Sequence, residues 1–307
     1  MPKPKLHLLH VENDDMEAEL FKQLLAKEFG VNGCSIVHVE SLSEALKKLK
    51  ETSFNAILLD LDLTDIQGLD NVRAIKEENP DIPIVVLSGH DDNEIALKAV
   101  RGGAQEYMVK GHSNSRMLGL AVLSSIERKT YERHLFRQAN HDDLTGLPNR
   151  RMFIEYMQQW IIRASRWKRV ETIMFLDVND FKKINDTLGH DVGDTLLEQI
   201  AARLKVGLRT SDMLARYGGD EFIVHLDTDA HVSRDSCAEV ARKIISLFRD
   251  PISIGGHDIQ ASVSIGIAFY PEHGKDTAEL IQSADQAMYQ AKKANKDFSF
   301  ASQEPYE

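Results

Sequence analysis

Only two cysteines stand in the 307 residues, and they lie far apart at Cys34 and Cys237. That excludes a disulfide framework and a thiolate metal site, and points to two thiols in a reducing compartment. Long apolar runs are also missing. None approaches the roughly 20 residues that span a bilayer. The N-terminal stretch MPKPKLHLLHVEND carries charge, no long apolar core and no cleavage-site pattern. A cytoplasmic protein with no membrane partner is expected. Positive charge is short as well: 37 Lys and Arg face 48 Asp and Glu, for a net charge of -11. This argues against a nucleic-acid partner and against anionic membranes. An anionic nucleotide would need metal ions to bind. Hydrophobic residues at 42% and charged residues at 28% are the mix of a globular protein, and the length suits two domains.

The first half alternates strand-like and helix-like patterns. LHLLHV (6–11) is a short apolar run, and MEAELFKQLLAKEF (16–29) has helical spacing at Leu20, Leu24 and Leu25. SIVHV (35–39), SLSEALKKLK (41–50), FNAILLD (54–60), IPIVVLS (82–88) and EYMVK (106–110) follow, with helical segments between. Five such units predict a doubly wound α/β fold with a five-stranded parallel sheet. Its ligand site belongs at the carboxyl ends of the strands. There stand Glu12, Asn13 and Asp14, then Asp60, Ser88 and Lys110. Any one of these is ordinary at a strand end. All of them in register form a site. Acids that meet repel unless a cation joins them, and hard oxygen ligands suit Mg²⁺. Lys110 and the Ser88 hydroxyl suit a phosphoryl group beside it.

Residues 113–140 contain one Gly and no Pro, and read as one helix about 42 Å long at roughly 1.5 Å per residue. The start is apolar (Met117, Leu118, Leu120, Val122, Leu123, Ile126). The later part is mostly charged, with Leu135 and Phe136 as its main apolar residues. Such a helix stands in water as a spacer or pairs with a copy of itself.

In the second half, HDDLTGLPNRRMF (141–153) is a turn-rich opening followed by a helix. TIMFLDV (172–178) fits a buried strand ending at Asp177. A Gly/Asn/Asp-rich stretch follows, then a helix with Val192, Leu196, Leu197, Ile200 and Leu204 on its apolar side. MLARY and EFIVHL read as a hairpin with GGDE between them. The tip can place Asp220 or Glu221 beside Asp177. Gly218 and Gly219 let the backbone approach a ligand closely. Carboxylates meeting in an acidic protein call for divalent metals, which accept triphosphate oxygens and polarise the α-phosphate. An alternating strand at 263–269 and a helix at 284–297 complete an α+β domain.

Residues 5–125 resemble the receiver domain of a two-component response regulator, on LLDLDLTDIQGL (58–69) and the strand-end residues above. The resemblance implies a receiver domain over 1–125 whose phospho-acceptor is Asp60, served by a cognate histidine kinase. It implies one Mg²⁺ at Glu12, Asn13, Asp60 and the Asp62 carbonyl, with Ser88, Tyr107 and Lys110 as switch positions. Asn13 stands where the pattern has Asp, which removes a charge from the metal site. Thr64 and Gly111 replace prolines that do not touch the phosphoryl group. The helix over 113–140 would continue the last receiver helix.

The rest, 138–307, resembles the GGDEF domain of diguanylate cyclases. The resemblance rests on LTGLPNR (144–150), DVNDFKKIND (177–186), GHDVGD (189–194), GGDEF (218–222), SIGIA (264–268) and ADQAMYQAK (284–292). It implies a five-stranded sheet with helices on both faces, related to the nucleotidyl cyclase and polymerase palm. It implies condensation of two GTP to cyclic di-GMP and two pyrophosphates, by a homodimer of catalytic domains with two Mg²⁺ per active site. Asp177, Asp220 and the Val178 carbonyl would hold metal. Glu221 would be a further metal ligand or the base on the 3′-hydroxyl. Asn185 and Asp194 would read guanine. Phe181, Lys182, Gly218, Gly219, Lys292 and Lys296 would line the remaining substrate site, with Lys296 standing where the pattern has Arg. RTSD (209–212), five residues before GGDEF, would bind cyclic di-GMP as inhibitor through Arg209 and Asp212. By spacing alone those two are a surface ion pair. Two other readings remain at this level: a module that binds nucleotide without turnover, and an enzyme making a mixed purine dinucleotide.

Overall fold

The computed structural model describes residues 5–30, 32–66, 68–111, 114–227 and 233–302. The chain divides into two compact units between Leu135 and Phe136, within one helix.

The first unit runs β1 (Leu6–Val11), α1 (Asp15–Phe29), β2 (Cys34–Val39), α2 (Leu42–Glu51), β3 (Ala56–Asp60), α3 (Asp70–Glu78), β4 (Ile84–Ser88), α4 (Asn93–Arg101) and β5 (Glu106–Val109), and then enters α5 (Ser115–Asn140). Its sheet is parallel throughout, in the order β2-β1-β3-β4-β5. Successive strand residues point to opposite faces, so both faces need cover. Leu9, Val11, Ile57, Leu59, Ile84 and Val86 pack against α2, α3 and α4 through Leu42, Val72, Ile75 and Ala99. Leu8, Leu58, Val85 and Leu87 pack against α1 and α5 through Phe21, Leu25, Leu118 and Val122. Asp14 belongs to the helix rather than to the strand-end cluster. Its carboxylate caps α1, accepting from the Met16 and Glu17 amides at 2.8 and 3.1 Å. The helix expected from residue 113 starts at Ser115: Asn114 precedes it and caps it, accepting from the Met117 amide at 3.0 Å, and residue 113 lies outside the described residues. Tyr131, Leu135 and Phe136 are exposed along its later turns.

The second unit takes over the end of α5. It continues with α6 (Arg150–Trp167), β6 (Glu171–Val178), α7 (Phe181–Leu188), α8 (His190–Gly207), β7 (Met213–Gly218), β8 (Glu221–Leu226), α9 (Arg234–Ser246), β9 (Ile252–Ile254), β10 (His257–Ile259), β11 (Val263–Tyr270), α10 (Thr277–Lys293) and β12 (Phe298–Phe300). The main sheet has the order β12-β11-β6-β8-β7, with β6 central and antiparallel to β8 and β11. Met174, Leu176, Val178, Phe222 and Val224 face α8 and α9. Ile173, Phe175, Ile223 and Ala268 face α6 and α10. The period of two therefore puts Asp177 and Glu221 on the α6–α10 face.

Three local expectations change. The polar stretch FKKINDTL folds as a separate helix, α7. The last helix is not 284–297. It starts at Thr277, where Asp276 accepts from the Glu279 amide at 2.9 Å, and ends at Lys293. Beyond it Asn295 turns left-handed at φ 52°, and the chain returns as the edge strand β12, parallel to β11. The β9–β10 hairpin is also additional.

Candidate functional site

Asp177 sits one residue before the end of β6, directly opposite Glu221 on β8. The Val178 amide donates to the Asp220 carbonyl at 3.1 Å, which ties the turn to the strand end. Gly219 has φ 52°, a conformation that favours glycine. A Cβ built on Gly218 or Gly219 meets nothing within 4 Å, so the outer side of the turn is open. Lys292 on α10 forms an ion pair with Asp177. The remaining acids are poorly compensated. Burial raises the Asp220 carboxyl above its ordinary range, and Asp177 adds to this. Burial also raises Glu221, with Asp285 contributing more than Asp220 and Asp177. Burial and Asp177 raise Asp285.

Among the described residues no three His, Cys, Asp or Glu side chains converge to cage an ion by themselves. The expected meeting of two or three carboxylates is thus an open set rather than a cage, with Lys292 paired to Asp177. Mg²⁺ suits such a set. It keeps one or two carboxylates and takes its other ligands from water and substrate phosphates. Crowded acids with raised carboxyls fit a site that a divalent cation would complete.

A groove of about 820 Å³ opens beside Glu221 between α6 and α10. Arg150, Tyr217 and Asp285 line it next to Glu221, and the Arg150 guanidinium lies 4.6 Å from the Tyr217 ring centroid. Sequence reading missed Arg150 and Asp285 as site residues, although both fall inside quoted motifs.

Asn185 on α7 and Asp194 on α8 lie either side of the turn at Gly189. The Asn185 side-chain oxygen is buried without a partner. A Cβ built on Gly193 would lie 1.8 Å from it, so the Asn185 amide keeps this position only beside a glycine. Asp194, Lys182 and Lys296 are exposed, and Phe181 packs partly against the core.

Arg209 and Asp212 do not make the surface ion pair that their spacing permits. Instead Asp212 accepts from the Arg209 amide at 2.9 Å and the Asp227 amide at 3.2 Å. The Arg209 side chain is left exposed beside β7.

In the first unit Lys110 gathers the acids. Its Nζ lies 2.6 Å from Glu12 Oε2 and 3.1 Å from Asp60 Oδ2, and also pairs with Glu17. Glu17 was not anticipated, since it comes from the first turn of α1. Glu12 and Asp60 are 1% and 2% exposed, and the second Asp60 oxygen has no partner. Burial opposes charge on Lys110, but hydrogen bonds to Glu12 and Glu17 outweigh it and hold the ammonium firmly protonated. Burial raises the Glu12 carboxyl against the pull of Lys110. Asn13 and Asp62 are exposed at the mouth. Ser88 Oγ accepts from the His90 amide at 3.2 Å, and the Tyr107 hydroxyl donates to the His90 carbonyl at 2.6 Å. A buried acid with an orphaned oxygen beside a fixed ammonium fits a phosphoryl group and Mg²⁺.

The family model for "Diguanylate cyclase, GGDEF domain" matches residues 139–297, and that for "Response regulator receiver domain" matches 8–123. The response regulator PleD of Caulobacter vibrioides is 28% identical over 293 residues, covering 92% of this chain and 63% of PleD. The diguanylate cyclase TpbB of Pseudomonas aeruginosa is 43% identical over 160 residues, covering 52% of this chain and 36% of TpbB. The solved GGDEF domain of TpbB matches with a TM-score of 0.51 at 40% identity, over 53% of this chain and 95% of that domain. The chain spans 23% to 36% of the length of the first three curated relatives. No helix among the described residues is long and apolar enough to cross a membrane. On the match over its second half, preceded by a match to the receiver-domain model, the chain belongs to the GGDEF-domain family.

Proposed function

We propose that the chain condenses two GTP into cyclic di-GMP and two pyrophosphates, and that a phosphoryl group on Asp60 raises this activity. The observation that carries the reading is the facing of Asp177 and Glu221 at the end of β6, beside an open glycine turn. In each half-reaction the 3′-oxygen of one GTP attacks the α-phosphorus of the other. The bond to the β-phosphate breaks, and pyrophosphate takes the electron pair. Bound Mg²⁺ would polarise the α-phosphate and offset the triphosphate charge. Asp177, Asp220 and the Val178 carbonyl would hold the ion. Glu221 faces the incoming 3′-hydroxyl as ligand or base. Asn185 and Asp194 accept from the donor edge of guanine, which adenine lacks, so GTP is preferred to ATP. Lys182, Lys292 and Lys296 neutralise the triphosphate, Lys292 exchanging Asp177 for phosphate.

Each domain holds one GTP, so two copies must face each other. The long α5 with exposed Tyr131, Leu135 and Phe136 supports pairing along it. Cyclic di-GMP inhibits by binding the exposed Arg209 and the half-buried Asp212. A histidine kinase supplies the phosphoryl group. The test is incubation with GTP and Mg²⁺, with and without beryllofluoride. Cyclic di-GMP is expected in both, at a higher rate with the mimic. No product in either sinks the catalytic reading, and equal rates sink the switch.

A further inference from the structure

Arg216 lies in β7, two residues before the glycine turn, in a strand whose register slips between Arg216 and Gly218. Its guanidinium works in two directions. On one side Nη1 donates to both oxygens of Asp142 at 3.0 Å. On the other, Nε and Nη2 both donate to the Gly219 carbonyl, at 3.0 and 2.7 Å. The side chain is 12% exposed and that of Asp142 24%.

The anchor is itself fixed. Asp142 Oδ1 accepts from the Thr145 amide and hydroxyl at 2.8 and 2.7 Å. The Arg216 amide donates to the Pro148 carbonyl at 2.9 Å. Next to it Asn149 caps α6 and donates to the Ala139 carbonyl at 2.9 Å. The Gly219 carbonyl belongs to the peptide that joins Gly219 to Asp220. Fixing that oxygen at two points fixes the peptide plane, and with it the direction of the Asp220 side chain. A left-handed glycine with open space around it has no steric wall to do this.

We propose that Arg216 is a positioning residue for the proposed cyclisation: braced on Asp142, it holds the Gly219–Asp220 peptide so that the Asp220 carboxylate is aimed at the metal position it would share with Asp177. The inference rests on the cyclase reading. Lysine is no substitute, because one ammonium cannot form a planar fork on one side and a carboxylate bond on the other. Misplacement of a catalytic group by about 1 Å is worth roughly 100-fold in rate.

The test is steady-state kinetics of the full-length protein with GTP and Mg²⁺, with thermal melts of each variant. Arg216→Lys is expected to lower kcat about 30-fold or more, with KM for GTP within about threefold. Asp142→Asn, which keeps the shape of the anchor and loses its charge, is expected to lower kcat about tenfold. Asp142→Glu recovers most of that loss. The double variant Arg216→Lys, Asp142→Asn is no slower than Arg216→Lys alone, because the two residues act as one unit. A folded Arg216→Lys with kcat within twofold of the native chain overturns the proposal. So does a loss confined to KM, or full additivity of the two changes. If Arg216→Lys fails to fold, the Asp142→Asn and Asp142→Glu pair decides. A native chain that makes no cyclic di-GMP refutes the cyclase reading instead.

Discussion

Gly193→Ala separates nucleotide recognition from stability. The new Cβ would lie 1.8 Å from Asn185 Oδ1, 2.9 Å from Asn185 Cγ and 3.3 Å from Phe181 Cζ. An oxygen and a methyl carbon sit about 3.4 Å apart at van der Waals contact, so the amide must swing away by roughly 1.5 Å. The clash is with the end of a side chain, so the backbone of α7 and α8 need not move. Alanine in a helix interior is favoured over glycine by about 1 kcal/mol. The melting temperature should therefore hold or rise slightly. Binding should not. The displaced oxygen is the proposed acceptor for a guanine N–H, and leaving that donor unpaired is worth roughly 1–3 kcal/mol. That is about 5- to 150-fold in KM for GTP, with kcat largely kept once GTP saturates. Preference for GTP over ATP should shrink by a similar factor. The assay is initial rates over a GTP series with ATP as competitor, beside a thermal melt. A stable Gly193→Ala protein with native KM and native preference would remove Asn185 from base recognition. A parallel collapse of stability would show instead that α7 and α8 cannot part.

Gly266→Ala should act in the opposite way. Its Cβ would lie 1.9 Å from the Ala284 carbonyl oxygen and 2.3 Å from the Met288 amide nitrogen, both backbone. Overpacking of this kind costs about 3 kcal/mol or more, so a lowered urea midpoint is expected, and an unchanged midpoint would count against the backbone-to-backbone packing of β11 on α10. Lys76 in α3 donates to the Ile82 carbonyl at 2.6 Å, and burial lowers it from 10.5 to about 8, helped by Lys129. Between those values the folded chain has lost the proton and the unfolded chain keeps it, so stability rises with pH from about 8 to 10.5. Urea melts at pH 8 and pH 10 should show that slope for the native chain and a flatter one for Lys76→Met; identical slopes would refute the burial argument.

The parts of this fold legible in the sequence are those whose cause is local or periodic. The central strands of the receiver sheet are short apolar runs, and strand ends in a parallel sheet converge by geometry, so Glu12, Asp60 and Lys110 could be placed together from order alone. The GGDE turn was equally legible, because glycines and an alternating run are neighbours in the chain. What stayed hidden are the partners that balance charge. Glu17 reaches Lys110 from a helix whose face is set by the Asp14 cap, and in sequence it reads as one more solvent acid. Asp142 and Arg216 are 74 residues apart, and each alone looks like a turn residue and a strand residue. Asp285 stands on α10, exposed in the helical pattern, yet it is the charge that bears most on Glu221. Element ends were misjudged for a related reason. Asp276 and Asn295 set the limits of α10 through backbone bonding that apolar periodicity does not register. The acids of a site can be read from its motif because chemistry demands them there. The groups that aim and neutralise them are chosen by the fold, from whichever strand or helix comes within reach.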